Sequence, residues 1–491
     1  MNLTFDMTAL GNSNLTPKNV YITFAAASAG LVYGSGLSAQ YINFSNGGIT
    51  IDGTSYGTSS AYSLADVAAY GLVINSATSL VGFISYGSAQ GIEMLPMGSQ
   101  PNFLSSITPR FSIFELSYDG TGGGADITNI SQYGGSIKLA FLSGGSVQSQ
   151  LENTLDTTDT FNALAGASGF SGSASTSAVF LDSSGCFVRV IGTNVFPIGA
   201  EQTPYPTFNA YLQSLYTTYG SGSVVQELTN LAPGQNPGGA GAVGYPSTST
   251  ATQVSPNSPN SNSIVYNLDY HFTAVVTQAT GPGDSDPNGT YSVQLNGYVN
   301  ATLASGPGTI QSYTYDNLSI TLAADEPTQG NLYMTNFIYQ AATNGAGISV
   351  TSSGWDDLNN DFGTANVDAA LLQKAAGDFA EGMTCGFPGS TTDSTSSPGT
   401  NLGGLTSYEW WQNPLLAYGP AQTANPYYST YGNVVSANSG GINGTTTFSR
   451  GGVYGSPYDD RFNLNLISPD ADTDEMCITL LADGNLEPTG A

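Results

Sequence analysis

The sequence predicts a mainly β protein in which an N-terminal β-barrel or sandwich is followed by a mixed α/β domain. Short runs of alternating apolar and polar residues, bounded by Gly, Asn, Asp and Ser, fill the first part of the chain. Helix-forming stretches come only after these runs. The chain has no repeat of fixed period, which argues against a solenoid or a propeller.

The strand pattern is clearest at 20–24, 80–86 and 137–141, where apolar and aromatic residues alternate with small polar ones. Runs of this kind with turn residues between them are typical of all-β sandwiches and barrels. We therefore assign residues 1–150 to the β-barrel or sandwich part.

Helical patterns follow at 161–164, 206–216 and 368–380. The second begins with Pro206 and has apolar residues at i, i+3, i+4 and i+7, whereas the third consists of strong helix formers. Strand patterns at 263–266 and 291–295 lie between them. We expect a mixed α/β domain at 151–390, with a Gly-, Pro-, Ser- and Asn-rich loop at about 233–263. Residues 391–491 would then return to the β-rich core.

The net charge limits the kinds of molecule that the protein is expected to bind. The chain has 7 basic and 35 acidic residues, a net charge of −28, and only 9% of its residues are charged. Binding to phosphate groups needs Lys and Arg, so nucleic acid and anionic membrane surfaces are excluded as expected partners. A neutral polysaccharide remains compatible, because aromatic rings and short polar side chains bind sugars.

The chain has no zinc-like cysteine spacing, and its three cysteines allow at most one disulfide bond. No signal-peptide pattern opens the chain, and no apolar run approaches the roughly 18–20 residues that span a bilayer. The composition favours an extracellular or cell-surface location. Candidate glycosylation triplets begin at Asn2, Asn14, Asn43, Asn129, Asn288, Asn300, Asn317 and Asn443.

The most informative segment is 110–119, a predicted strand with a single acid, Glu115, in an apolar and aromatic run. A carboxylate is costly to bury unless it is paired or hydrogen-bonded, so Glu115 is a candidate functional group. The alternative is a structural acid that pairs with Arg110 or Lys138.

Several segments in order along the chain carry a family resemblance: 79–87, the Glu115 strand, 186–190, 208–219, 383–386, 426–428 and the Gly-Val-Tyr-Gly-Ser-Pro-Tyr-Asp-Asp motif at 452–460. Together they resemble the laminaripentaose-producing β-1,3-glucanases, glycoside hydrolase family 64, of the thaumatin-like superfamily. The resemblance implies a thaumatin-like barrel and a mixed domain that flank a wide groove for β-1,3-glucan. It also implies an inverting endo-glucanase mechanism.

The resemblance places the general acid at Glu115, but the position of the catalytic base reads Ser131. An inverting enzyme needs both groups, about 6.5–9.5 Å apart. Asp126 is the candidate substitute base, and whether the chain is an active enzyme stays open. Candidate substrate-binding aromatics are Tyr118, Tyr133, Trp410 and Trp411.

No cofactor or resident metal is expected. Asp470, Asp472 and Asp474 alternate as in a calcium loop, but Glu475 stands where glycine is expected and the distal glutamate is missing. A polar turn is therefore favoured over a calcium site. The only histidine, His271, lies in a strand pattern without a serine-nucleophile motif and is expected to be structural.

A second class of function remains open. Low charge and abundant Gly, Ser, Asn and Tyr also suit a non-catalytic, self-assembling extracellular or cell-surface protein on the same fold, forming filaments, sheets or an S-layer-like lattice. Close packing of many copies tolerates few charges, because an unpaired buried charge is expensive. In that case the partner is a second copy of this chain.

Overall fold

The structure is a computed structural model of the 491-residue chain. It describes residues 1–11, 14–45, 48–56, 61–88, 109–167, 178–192, 209–229, 252–253, 263–280, 290–305, 310–325, 336–342, 348–351, 378–379, 381–389, 404–411, 417–418, 428–455 and 466–483. The chain divides into two compact units. Unit 1 comprises Met1–Val195, Val434–Gly455 and Leu464–Ala491, and unit 2 comprises Phe196–Asn433 and Ser456–Asn463.

Most elements of unit 1 come from the first part of the chain. In chain order they are β1 Asn2–Asp6, β2 Val20–Ala25, β3 Ser28–Tyr33, β4 Gln40–Ser45, β5 Gly48–Ile51, β6 Thr54–Tyr56, β7 Tyr62–Ser63, α1 Leu64–Tyr70, β8 Leu72–Tyr86, β9 Phe111–Tyr118, β10 Gly123–Ile127, β11 Gln132–Tyr133, β12 Ile137–Ser143, β13 Ser146–Asn153, α2 Thr157–Ala167, β14 Val179–Leu181 and β15 Phe187–Ile191. A 3-10 turn lies at Gly36–Ser38.

The remaining elements follow. They are α3 Asn209–Tyr219, β16 Val224–Thr229, β17 Thr252–Gln253, β18 Ser263–Thr280, β19 Thr290–Ser305, β20 Ile310–Asp325, β21 Asn336–Ala342, β22 Ile348–Thr351, α4 Ser407–Trp411, α5 Thr430–Ala437, β23 Ser439–Asn443, β24 Thr446–Phe448 and β25 Glu475–Leu480. The boundary between the units falls within α5.

Unit 1 is built on one large, mostly antiparallel sheet. Its main path runs β24-β23-β13-β12-β25-β1-β8-β3-β4-β5-β6, and β2, β7, β9 and β10 branch from it at β8. Strand β25, from the C-terminal part of the chain, lies between β1 and β12 and runs parallel to β1. The N- and C-terminal strands therefore sit side by side in the middle of the sheet.

Strand β8 joins two layers of unit 1. Its first half pairs with β1 and β3, and its second half pairs with β2 and β9. The pairing is irregular between Ala77 and Leu80, where Ser79 has a φ of 49°. One face of the β9–β10 hairpin packs towards β12 and β13, with Phe114, Leu116 and Ala125 buried there. This packing forms the sandwich core.

A buried ion pair fixes the chain after β25 to the start of β9. Arg110 and Asp483 are both almost fully buried, and their two side chains form two N–H···O contacts, with Nη2 2.6 Å from Oδ2. The Arg110 guanidinium also lies 4.1 Å from the ring centre of Tyr86. Burial raises the pKa of Tyr86 to about 12. Breaking this pair would leave an isolated charge in the core.

Unit 2 has its own sheet, in which the described strands follow the order β16-β18-β19-β20-β21-β22 with β17 against β18. Helix α3 packs on β16, β18 and β19, and α4 packs on β16. Residues 381–385 are helical and buried. Unit 2 thus combines an antiparallel sheet with helices.

The predicted fold class is confirmed: the protein is mainly β, and its second unit mixes helices with strands. The described strands form an open sheet with ends at β24 and β6, so they do not close into a barrel, and the sandwich alternative describes them. Most of the predicted loop at 233–263 and of the predicted helix at 368–380 lies outside the described residues. No described helix is long and apolar enough to cross a membrane.

We expect Gly82→Ala to destabilise the protein by about 1–3 kcal/mol, because it overpacks the sandwich core. A Cβ atom at Gly82 would lie 2.2 Å from the Phe114 ring on the adjacent strand. Gly166→Ala is the control, since nothing lies within 4 Å of its Cβ position in helix α2. This control should gain about 0.5–1 kcal/mol. Urea unfolding measures both, and equal stability of the two variants would contradict the described packing.

Candidate active site

Glu115 lies on the outer face of the β9–β10 hairpin, away from the sandwich core. Successive strand residues point to opposite faces, so Glu115 shares its face with Ile113 and not with Phe114 or Leu116. Its neighbour on β8 is Val81. The outer face is itself well covered at Ile113, which is 6% exposed, whereas Glu115 keeps partial access to solvent.

Asp126 lies directly opposite Glu115 on the adjacent antiparallel strand β10. Side chains of such direct neighbours leave the sheet on the same face, with Cβ atoms about 4.5–5.5 Å apart. Asp126 is 9% exposed. The structure therefore brings together the two carboxylates that the sequence analysis named separately as acid and substitute base.

Burial raises the pKa of Glu115 above its ordinary value. Among the described residues, none donates a hydrogen bond to the Glu115 carboxylate or forms an ion pair with it. Two ionised carboxylates on directly opposed residues would also repel each other. A protonated Glu115 beside an ionised Asp126 is the charge state that acid–base chemistry requires.

The turn of the hairpin holds the two acids in register. The Asp119 N–H donates to the Gly122 carbonyl at 3.0 Å, and the Asp119 carboxylate accepts from the N–H groups of Thr121 and Gly122, each at 2.9 Å. These hydrogen bonds lower the pKa of Asp119. The closed turn fixes the register of the two strands, and in this register Asp126 lies opposite Glu115.

The structure does not support the alternative reading of Glu115 as the partner of Arg110 or Lys138. The Arg110 guanidinium is bound to Asp483 in the core. Lys138 lies on β12, opposite Glu152 of β13 and Thr479 of β25. Neither cation forms an ion pair with Glu115 in the described part of the chain.

The side chains of Tyr118 and Tyr133 do not lie beside Glu115 and Asp126. Tyr118 is three residues from Glu115 on the same strand, so it points to the opposite face, and its hydroxyl donates to the Gly120 carbonyl at 3.1 Å. Tyr133 is fully buried, packs edge-on against Phe161, and lies 2.6 Å from the Ser136 hydroxyl. At 0% exposure, Tyr133 presents no open ring face on which a sugar could stack.

Trp410 likewise offers no stacking surface. It is fully buried in unit 2, and its ring stacks on Phe387 with centres 5.2 Å apart. A Cβ atom at Gly382 would lie 2.3 Å from the same indole, so the glycine is needed for this packing. Trp411 is the last residue of α4, and its side chain lies outside the described residues.

Ser131, at the position of the expected base, lies just before β11. Its carbonyl accepts a hydrogen bond from the Gly192 N–H at 2.8 Å. A serine hydroxyl cannot deprotonate water unaided, so within unit 1 Asp126 is the carboxylate that the structure places next to Glu115.

The acidic loop at 470–474 is hydrogen-bonded to the β12–β13 hairpin. The Asp472 carboxylate accepts from Ser143 and Gln148, both at 3.0 Å, and these hydrogen bonds lower its pKa. Asp474 accepts from the Gly144 N–H at 3.4 Å. In the described part of the chain, no group of three or more acidic, histidine or cysteine side chains could hold a metal ion. Asp470 lies in the same turn.

All three cysteines lie in the described residues, and none of them forms a disulfide bond. His271 lies on β18, with its Nε2 3.9 Å from a carboxylate oxygen of Glu227.

We expect Glu115→Gln to be more stable than the native protein at neutral pH. Burial raises the pKa of Glu115 in the folded state. Protonated Glu115 therefore makes its full contribution to the free energy of unfolding when the pH lies below the ordinary carboxyl pKa. This contribution is lost as the pH rises through the raised pKa. Glutamine cannot ionise and escapes that loss. Each kcal/mol regained raises the melting temperature of a unit of this size by about 2–4 °C.

Calorimetry from pH 3 to pH 8 tests this expectation. The advantage of Glu115→Gln should vanish at low pH. Asp119→Asn is the control with the opposite sign, since the lowered pKa of Asp119 adds stability above the ordinary value and loses it as pH falls. A Glu115→Gln variant less stable than the native protein at pH 7 would show that Glu115 is a satisfied structural acid.

Comparison with solved structures finds two similar chains of note. One is a β-1,3-glucanase domain of glycoside hydrolase family 64 from Clostridium beijerinckii, 11% identical, with 98% of this chain and 96% of that chain covered and a TM-score of 0.45. The other is a laminaripentaose-producing β-1,3-glucanase in complex with laminaritetraose, also 11% identical, with 99% and 98% covered and a TM-score of 0.45. No protein-family model and no curated protein matches the chain. At this identity and TM-score, no conclusion about this chain is drawn from the two matches.

Proposed function

We propose that the protein is an endo-acting glycoside hydrolase of neutral polysaccharide, with β-1,3-glucan as the substrate class, and that Glu115 and Asp126 are its catalytic carboxylates. The observation that carries the proposal is their direct cross-strand pairing on one face of the hairpin, with burial raising the pKa of Glu115. The resemblance of the sequence segments to β-1,3-glucanases supplies the substrate class.

Glycoside hydrolysis needs one carboxyl group that protonates the leaving oxygen and one carboxylate that acts on the other side of the anomeric carbon. Glu115 fits the first role, because a raised pKa keeps its proton at a pH where an ordinary glutamate is ionised. Asp126 fits the second role, because an ionised carboxylate beside a protonated one avoids repulsion between like charges.

The charge of the protein also suits this substrate. With 7 basic residues against 35 acidic ones, the surface would repel acidic polysaccharides, whereas a neutral glucan meets no such penalty. The hydroxyl and amide groups that replace charged side chains are hydrogen-bonding groups for sugars.

Incubation of the protein with laminarin and with curdlan tests the proposal, with products separated by chromatography across pH 3–8. We expect soluble oligosaccharides from both β-1,3-glucans and none from an acidic polysaccharide such as polygalacturonate. Absence of products from both glucans at high protein concentration would contradict the proposed hydrolase activity.

A second candidate is the non-catalytic, self-assembling surface protein. One observation favours it: Tyr41, Tyr56 and Tyr70 of unit 1 are 57%, 49% and 58% exposed, and large aromatic residues are enriched where proteins meet. Analytical ultracentrifugation and negative-stain microscopy distinguish the two candidates. Filaments, sheets or lattices together with inactivity would favour assembly, and discrete particles that release oligosaccharides would favour the hydrolase.

A further inference from the structure

A cavity of about 320 Å³ lies in unit 1 between helix α1 and strands β1 and β25. Its lining includes residues from both faces of β1, with Asn2 and Thr4 on one face and Leu3 and Phe5 on the other. A cavity that touches both faces of a strand runs along the edge of that strand. Among the described residues, β1 pairs with β8 only through Asn2 and Val73, and beyond this pair the edge is open to the cavity.

Glu475 is the one charged side chain among the described residues that line the cavity. It is half-buried, and its Oε1 accepts a hydrogen bond from the Thr4 hydroxyl at 2.5 Å. In the described part of the chain, no basic group forms an ion pair with Glu475. Because an ionised carboxylate has about four acceptor sites, Glu475 keeps acceptor capacity for a ligand.

The backbone at the open strand edge supplies a second acceptor. The Asn2 N–H donates to the Asp474 carbonyl on the β25 side of β1 at 2.8 Å. Backbone groups of successive strand residues point to opposite edges, so the N–H and C=O of Phe5 point to the cavity side. No described residue of β8 is in register with Phe5. The Phe5 carbonyl is therefore available to a donor group of a ligand.

The wall opposite the strand edge is apolar. It includes Leu64 and Val67 of α1 and Leu72 at the start of β8, and all three are buried. Ala68 also lines the cavity but is exposed, so the cavity opens to solvent on that side. The volume lies at the lower end of the range for small-molecule sites, about 300–1,000 Å³. These features suit a ligand with a small apolar body and one polar end.

The electrostatic field around the cavity is negative. Burial raises the pKa of the Cys477 thiol, and the charges of Glu475 and Asp6 raise it further. Cys477 is the β25 residue that pairs with Thr4. The net charge of −28 also draws cations to the protein. A ligand with an anionic end would be repelled here, whereas a cationic end would find a counter-charge in Glu475.

We propose that this cavity binds a small organic cation, in which a primary ammonium group is attached to an apolar body. The ammonium group donates to the Glu475 carboxylate and to the Phe5 carbonyl, and the apolar body packs on α1. The site shares no residue with the hairpin that carries Glu115 and Asp126. The inference therefore does not depend on the proposed hydrolase activity.

A ligand-observed NMR titration at pH 7 tests the inference with probes of nearly the same shape: cationic benzylamine, neutral benzyl alcohol and anionic benzoate. About 0.15 M salt screens the general attraction between cations and a negatively charged protein. We expect benzylamine to bind at least about 10-fold more tightly than benzyl alcohol, as for a hydrogen bond to a charged group, and benzoate not to bind. Equal affinities for benzylamine and benzyl alcohol, or no binding of benzylamine, would overturn the proposal.

Variants test where the cation binds. Glu475→Gln should weaken benzylamine binding by about 10-fold or more and remove its advantage over benzyl alcohol. Ala68→Phe, at an exposed position of α1, should narrow the opening and weaken the binding of both probes. Asp119→Asn is the control, because it removes one negative charge from the β9–β10 turn and should leave benzylamine binding unchanged. Circular dichroism checks that each variant is folded. Unchanged benzylamine binding in folded Glu475→Gln or Ala68→Phe, or an equal loss in Asp119→Asn, would contradict the assigned site.

Discussion

Glu115→Gln is expected to reduce the rate of β-1,3-glucan hydrolysis by about 100- to 10,000-fold, the usual contribution of a general acid. Glutamine has nearly the same shape as glutamic acid but has no proton to give to the leaving oxygen. Because burial already disfavours ionised Glu115, the variant should fold and remain at least as stable at neutral pH. Loss of activity without loss of stability separates a catalytic role from a structural one.

The matched control lies in the same hairpin. Asp119 is also a carboxylate, but it is exposed and is committed to hydrogen bonds within the turn. Asp119→Asn should retain most of the activity. A substrate with a good leaving group, such as a dinitrophenyl β-laminaribioside, should partly bypass the loss in Glu115→Gln. Equal activity of the native protein and Glu115→Gln on laminarin would refute the assignment of the acid.

Asp483→Asn should destabilise the protein by about 3–5 kcal/mol, as expected when one member of a buried ion pair is removed. The carboxylate of Asp483 contacts the Arg110 guanidinium through two oxygens, and both residues are at most 1% exposed. Arg110 would remain charged in the core beneath the Tyr86 ring. The pair also fixes the chain just after β25, so its loss should loosen the centre of the sheet.

Urea unfolding followed by tryptophan fluorescence and circular dichroism measures this loss. Asp472→Asn is the control, since its carboxylate lies on an exposed loop and should change the midpoint little. The double change Arg110→Met with Asp483→Leu should recover part of the loss, because it leaves no lone charge. An unchanged midpoint in Asp483→Asn would contradict the described ion pair.

The local pattern of the sequence predicted the strands well because the period-2 alternation is a local property. The runs at 20–24, 80–86 and 137–141 all fall within strands. The order of strands was not predictable, because nothing in the local pattern of β25 indicates that it pairs in parallel with β1. The described strands form an open sandwich. The sequence could not show this, because strand alternation alone does not distinguish a sandwich from a barrel.

The candidate site was half predictable. Glu115 stood out because it is an acid in an apolar strand. The pairing with Asp126 was missed, although the turn residues between the two strands carry the signal: Asp-Gly is a hairpin sequence, and a closed turn fixes the register. The burial of Tyr133 and Trp410 was not predictable, because an aromatic residue suits a core and a sugar platform equally.

The dependence of kcat/KM on pH for laminarin hydrolysis tests most directly whether Glu115 and Asp126 act as a catalytic pair. We predict a bell-shaped profile for the native protein, whose two limbs belong to the coupled pair. Glu115→Gln should lose the limb on the alkaline side, and Asp126→Asn should lose the limb on the acid side. A profile that keeps both limbs in both variants, or a native protein with no activity from pH 3 to pH 8, would contradict the account.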